Sequence, residues 1–268
     1  MEYKNINSEK IVQYIVNWLK DYAETARVKG FVLGISGGID SALVSTLCAK
    51  TGLPTLCVEM PIHQAKSQVS RAKEHIAFLK QNHHNVSSVV ADLTETFDLL
   101  SRNLPSSDNE YLMNLTLANT RARLRMTTLY YFAGINGFLV AGTGNKVEDF
   151  GVGFFTKYGD GGVDVSPIAD LMKSEVRTLA AYLGITQNII QAKPTDGLFG
   201  DDRSDEDQLG ANYDELETAM IADEQGKTEA DFNGRELEVF KIYKRLNTIN
   251  QHKVNPIPVC EIPDEVKF

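Results

Sequence analysis

Residues 31–45, FVLGISGGIDSALVS, decide how this chain is read. Phe31 to Ile35 have the apolar character of a strand covered on both faces, and a helix follows from about Asp40. An open parallel sheet binds ligands beyond the carboxyl ends of its strands, so this strand delivers Gly34, Ile35, Ser36, Gly37, Gly38, Ile39, Asp40 and Ser41 to a binding edge. Gly37 and Gly38 lack the Cβ atoms that would hold a phosphate off the backbone. The first N–H groups of the following helix are unpaired and favour an anion, and Ser36 and Ser41 add hydroxyl donors. Asp40 would repel a polyphosphate unless magnesium lies between them, which suits the loop to a metal-bound pyrophosphate. The plainer alternative is a tight turn with Asp40 and Ser41 capping a helix; the complete Ser-Gly-Gly-x-Asp-Ser string is more specific than that turn requires. The string lacks the Gly-Lys-Ser/Thr ending of the common phosphate loop and is not GxGxxG.

Short apolar runs alternate with helical patterns on both sides of this junction. Ile11, Val12, Ile15, Trp18, Leu19 and Tyr22 predict a first helix, with Ser8 as its N-cap. Strands are expected at 31–35, 55–60, 86–92 and 138–143, and helices at 40–50, 66–81, 109–136 and 172–184. Gly52 and Pro54 close the helix at 40–50, and Gly184 ends the one at 172–184. The pattern predicts an α/β protein, a doubly wound parallel sheet with helices on both faces, formed as one domain over 1–268. Residues 196–236 are acidic and turn-rich and are read as a solvated face in preference to a mobile loop.

Composition narrows the function classes. A net charge of −9 disfavours a nucleic-acid partner. Cys48, Cys57 and Cys260 form no CxxC pair, which argues against a disulfide framework or a zinc site. No signal-peptide core and no apolar run of membrane-spanning length is present, so no membrane association and a cytoplasmic location are expected.

The SGGIDS string resembles the pyrophosphate loop of the N-type ATP pyrophosphatases, which split ATP into AMP and pyrophosphate while adenylating a substrate. RARLRM (121–126), GTGNKVE (142–148), FFTKYGDGGVD (154–164), PIADLMKSEVR (167–177) and HK (252–253) narrow the likeness to the NAD synthetase family, over almost the whole chain. The resemblance implies an adenine nucleotide alpha hydrolase-like fold. With no room for an extra amidase domain, it points to the ammonia-dependent form. The implied reaction is amidation of deamido-NAD by ammonia, with ATP and magnesium, through an acyl-adenylate, in a homodimer. Two other readings remain: another N-type ATP pyrophosphatase, for example a tRNA-modifying one, or a non-catalytic nucleotide-binding module.

By the same resemblance, Gly34 to Ser41, Thr143, Lys173 and Thr195 bind ATP, and Asp40 and Glu148 hold magnesium. Tyr22, Arg123, Tyr130, Leu139, Lys157, Asp164, His252 and Lys253 bind deamido-NAD. A lysine at the pyrophosphate would stabilise charge that grows as it leaves; alone, Lys173 is equally a solvated residue of a first helical turn. Asp160 is a candidate for holding ammonium and taking its proton, or else a turn aspartate before Gly161. Tyr22, Tyr130 and Leu139 read equally well as core residues. Arg121, Arg123 and Arg125 cannot share one helical face, so at least one is expected to be structural. The chain departs from the family at Glu59-Met60-Pro61, where some relatives place an arginine before the proline. The segment from Glu148 to Lys157 is one residue longer than in some members.

Overall fold

In a computed structural model that describes residues 5–193 and 205–268, four parallel strands set the architecture. They are β1 (Gly30–Gly34), β2 (Thr55–Glu59), β3 (Val86–Val90) and β4 (Phe138–Val140), in the spatial order β3-β2-β1-β4. The chain adds strands outward from β1 to β3, then returns to place β4 on the other side of β1. The strand order therefore reverses beside β1, where ligands enter doubly wound sheets. α1 (Ser8–Thr25) precedes β1, and between the strands run α2 (Ile39–Lys50), α3 (Lys66–Asn82), α4 (Thr94–Asn103) and α5 (Glu110–Asn136). A π-helix (Val147–Val152), α6 (Lys173–Tyr182), α7 (Gln187–Ile190), α8 (Asp205–Leu209), α9 (Tyr213–Glu224), α10 (Gly234–Val254) and α11 (Asp264–Lys267) follow.

Side chains alternate across β1 with a period of two. Phe31 and Leu33 join the core packed by α1, α2, α6 and α7. Val32 faces the other way, with Val58, Val140, Leu129 and Ala133, under α5. Both faces of the sheet are thus covered, as the apolar strand runs required. Cys48 and Cys57 are buried within these layers and Cys260 is exposed. Among the described residues, no helix is long and apolar enough to cross a membrane.

Several boundaries differ from those read in the sequence. Asn7, not Ser8, caps α1, because its side-chain oxygen accepts the Lys10 N–H at 3.0 Å. β3 and β4 end at Val90 and Val140, short of the expected 92 and 143. The amphipathic α4 was not anticipated. The largest correction falls on the acidic stretch, whose described part builds a second apolar core. Tyr213, Leu216 and Met220 of α9 pack with Val239, Phe240 and Tyr243 of α10 and with Val147 and Val152 of the π-helix. These α9 positions follow helical spacing, but acidic residues between them mask the stripe.

The π-helix is tied from outside. Asn247 of α10 donates to the Gly151 carbonyl at 2.8 Å, and Asn250 donates to that of Val152 at 2.8 Å.

Behind α2, His75 is buried, with Nε2 2.8 Å from the Ser45 hydroxyl and a buried Nδ1 that has no partner. Burial lowers its pKa from 6.5 to about 4. The unfolded imidazole binds its proton first as pH falls, so this contribution to stability is full above 6.5 and is lost toward 4. By linkage the loss reaches about 2 kcal/mol at pH 5. His75→Gln is expected to show a correspondingly shallower decline, measured by urea unfolding at pH 7 and pH 5; equal slopes would mean that His75 is not held neutral.

Candidate active site

The site begins where β1 ends. The Ser36 and Ser41 hydroxyls lie 3.1 Å apart; Ser36 Oγ accepts the Gly38 N–H at 3.2 Å, and Ser41 Oγ donates to the Gly38 carbonyl at 3.0 Å. The loop is therefore held by its own hydroxyls. No side chain caps α2, so its N-terminal donors stay open to an anion. This removes the capping role considered for Asp40. Gly37 is required for a different reason than its sequence reading gave. Its φ of +82° is left-handed, and a Cβ there would lie 2.5 Å from the Gln68 carbonyl of α3. Arg71, also on α3, donates Nε to the Gly37 carbonyl at 3.0 Å.

Asp40 points from the first turn of α2 toward Lys173, the first residue of α6. Lys173 Nζ lies 2.7 Å from Asp40 Oδ2 and 2.9 Å from Glu148 Oε1, so three distant segments meet at one ammonium. Asn145 donates to Asp40 Oδ1 at 3.2 Å and accepts the Glu148 N–H at 3.2 Å. Tyr213 donates its hydroxyl to Glu148 Oε1 at 2.6 Å, and its ring centroid lies 4.5 Å from Lys173 Nζ. Lys173 is only 2% exposed, which excludes the solvated first-turn residue considered from the sequence.

Burial would lower the pKa of Lys173, but Asp40 and Glu148 outweigh it and the net shift is upward. For Glu148 burial acts upward, yet the Lys173 charge and the Tyr213 and Lys173 hydrogen bonds hold it below the usual range. Asp40 moves the other way, raised by burial with repulsion from Glu148 added. Asp149 is pushed up to about 8 by burial and by its neighbours Glu148, Asp160 and Asp40. Burial also raises Asp160, which accepts the Thr156 N–H at 2.9 Å. Four carboxyl groups, Asp40, Glu148, Asp149 and Asp160, thus share the site with the Lys173 ammonium.

A cleft of about 500 Å³ opens here, lined by Gly34, Ile35, Ser36, Gly38, Ile39, Asp40, Ser41, Thr143, Glu148, Asp160 and Lys173. Gly37 stands behind the loop, and Thr195 lies outside the described residues. The carboxyl oxygens of Asp40 and Glu148 are hard donors and fit a hard dication. Among the described residues no group of three or more His, Cys, Asp or Glu is placed to hold a metal. Two carboxylates, with phosphate oxygens completing the shell, match the way magnesium binds alongside a nucleotide.

The eight residues linked by resemblance to deamido-NAD do not line this cleft. Most gather on a neighbouring face. Arg123 donates to the Lys157 carbonyl at 3.3 Å, Lys157 Nζ reaches the His252 carbonyl, and Lys253 donates to the carbonyls of Gly153 and Phe155 at 2.8 and 2.9 Å. His252 Nδ1 lies 3.0 Å from the Ile249 carbonyl. Tyr130 donates to Asp164 Oδ1 at 3.0 Å, while Asp164 Oδ2 accepts the Val140 N–H at 2.8 Å. Leu139 packs against the main core, and Tyr22 is exposed on α1 beside Trp18. Arg125 is bonded to the Met60 carbonyl and Gln64, and the Arg121 guanidinium sits over the Phe97 ring, so these two flanking arginines hold neighbouring elements.

Sequence reasoning missed Asn145, Asp149, Tyr213 and Arg71. Asn145 and Asp149 lie in or beside the GTGNKVE motif, which marked the neighbourhood. Nothing local distinguished Tyr213 or Arg71.

The parallel sheet, with its first strand feeding α2 at the strand-order reversal, is that of the adenine nucleotide alpha hydrolase-like fold, which the structural neighbours share. The family profile described as NAD synthase matches residues 11–256, and the chain belongs to that family. An NH3-dependent NAD+ synthetase of Carboxydothermus hydrogenoformans is 37% identical over 250 residues, 92% of this chain and 96% of the relative. Among solved structures, an NMN synthetase from Francisella tularensis superposes with a TM-score of 0.81 at 29% identity, covering 97% of this chain and 100% of that one. The NH3-dependent NAD synthetase of Campylobacter jejuni gives 0.77 at 26% identity, covering 96% and 100%.

Proposed function

We propose that this chain amidates deamido-NAD with ammonia, consuming ATP and yielding NAD, AMP and pyrophosphate. The observation that carries the reading is the Asp40–Lys173–Glu148 cluster at the strand-order reversal in a chain of the NAD synthase family. The nicotinate carboxylate attacks the α-phosphorus and pyrophosphate leaves; ammonia then attacks the acyl carbon and AMP leaves. No protein nucleophile is needed, so the protein positions the reactants and stabilises charge.

In this reading Gly34 to Ser41, Thr143 and Thr195 hold the ATP, and Lys173 neutralises the departing pyrophosphate. Asp40 and Glu148 hold magnesium, which supplies charge neutralisation at the phosphates. Asp160, on the cleft wall, receives the ammonium and accepts its proton. Arg123, Lys157, His252 and Lys253 supply cations for the dinucleotide's phosphates and carboxylate, Asp164 suits its hydroxyls, and Tyr22, Tyr130 and Leu139 give it apolar surface.

A homodimer accounts for what internal packing leaves over. α5 fully buries only Ala118, Ala122 and Ala133, whereas Tyr111, Leu112, Tyr130, Tyr131 and Ile135 remain exposed. Tyr14, Trp18 and Tyr22 of α1 are exposed as well. A second subunit covering these surfaces would bring Tyr22 to a dinucleotide bound by its neighbour. The cytoplasm, where ATP and the dinucleotide meet, is the expected location.

The test is NAD formation from deamido-NAD, ATP, magnesium and ammonium, run beside nicotinic acid mononucleotide because of the likeness to an NMN synthetase. Preferential turnover of deamido-NAD supports the reading. Preference for the mononucleotide would move the substrate to the shorter acid, and absence of AMP with either would overturn the reaction class.

A further inference from the structure

We propose that Tyr213 is a positioning residue of the reaction: its hydroxyl fixes the Glu148 carboxylate while its ring seats the Lys173 ammonium, so both face the bound triphosphate in one arrangement. This rests on the reading above, in which Glu148 holds a metal and Lys173 meets phosphate. The phenol has one proton. Glu148 Oε1 lies at 2.6 Å and Asp205 Oδ2 at 3.4 Å, so that proton is given to Glu148. The same Glu148 oxygen accepts from Lys173. Tyr213 is fully buried and does not line the cleft, so it acts through these two groups and not on substrate.

A packing role alone does not explain where the hydroxyl goes. Leu216 and Met220 of α9 stay within the second core, whereas Tyr213 crosses from that core to a carboxylate of the cleft. Three further contacts register α9 on the first half of α6, the helix that begins at Lys173. Glu217 accepts from the Ser174 N–H and hydroxyl, each at 2.7 Å, and Asp214 pairs with Arg177 at 2.9 Å. A displacement of α9 would therefore move the ammonium and the carboxylate together.

Tyr213→Phe keeps the ring and removes only the hydroxyl. The direct measurement is Mn2+ binding by electron paramagnetic resonance with α,β-methylene-ATP, which needs no turnover and no organic acid. A hydrogen bond to a charged group corresponds to roughly a tenfold to hundredfold effect. Mn2+ affinity is expected to fall about tenfold or more and kcat to fall with it, while KM for the organic acid stays within about twofold. In a Glu148→Gln background the hydroxyl's effect on Mn2+ affinity should largely vanish. If Tyr213→Phe does not fold, Glu217→Gln, which loosens α9 from Ser174, is expected to give the same split. Unchanged Mn2+ affinity and kcat per folded molecule, or additive losses with Glu148→Gln, would overturn the proposal. Failure of the wild type to make NAD would count against the substrate assignment and leave this binding test intact.

Discussion

Lys173→Met is expected to lose about a thousandfold in turnover and, at neutral pH, about 3–5 kcal/mol of stability. In the proposed mechanism the kinetic loss follows from removing the cation that would meet the departing pyrophosphate. The stability loss follows from what remains: Asp40 and Glu148 would face each other, buried, without the ammonium that holds both. The sequence alone left open a solvated first-turn lysine, and its burial overturns that alternative. The pH dependence carries a sign that tests the cause. Without Lys173 the folded carboxylates should titrate above their unfolded values of 3.8 and 4.5. Their mutual repulsion is then present at neutral pH and relieved as pH falls through the raised values. The stability gap between wild type and variant, measured by urea unfolding, should narrow between pH 7 and pH 5. A constant gap would indicate lost packing in place of lost charge.

Asp40→Asn should separate the two effects. The amide removes one negative charge but leaves Lys173 paired with Glu148 at 2.9 Å, so stability is expected to stay within about 1 kcal/mol of wild type. Pyrophosphate release should nevertheless fall by about a hundredfold to a thousandfold, because a neutral side chain is a poor partner for a hard dication beside ATP. Near-normal release from the variant would remove Asp40 from the metal site. A large loss of stability would instead give the carboxylate a mainly structural role.

The phosphate loop was legible because its signal is local: an apolar strand, two glycines and a helix start within fifteen contiguous residues. The doubly wound order followed from the alternation of apolar runs and helices. What the sequence did not disclose depends on separation along the chain. Asp40 meets Lys173 across 133 positions, and Tyr213 reaches Glu148 across 65, so neither pairing leaves a nearby pattern. Composition misled for α9, where acidic residues on the solvent side concealed the stripe that forms the second core. Gly37 was read as glycine to let a phosphate approach, whereas its constraint in the structure comes from its left-handed φ and the α3 backbone.

The wide turn after Lys146 bears on how this family tolerates changes in length. A π-helix takes one more residue per hydrogen-bonded turn than an α-helix, so a single insertion can be absorbed without lengthening the segment around it. Here the widened turn spans Val147–Val152, and the amide side chains of Asn247 and Asn250 hold the carbonyls of Gly151 and Val152 after Glu148. Upstream, Asn145 pins the start of the turn. Insertions confined to this bulge would leave the Glu148 carboxylate where it is, whereas one placed before it would swing that carboxylate by about 100° around the helix axis. Gaps between related chains should therefore accumulate at 149–152 and spare the motif ahead of it.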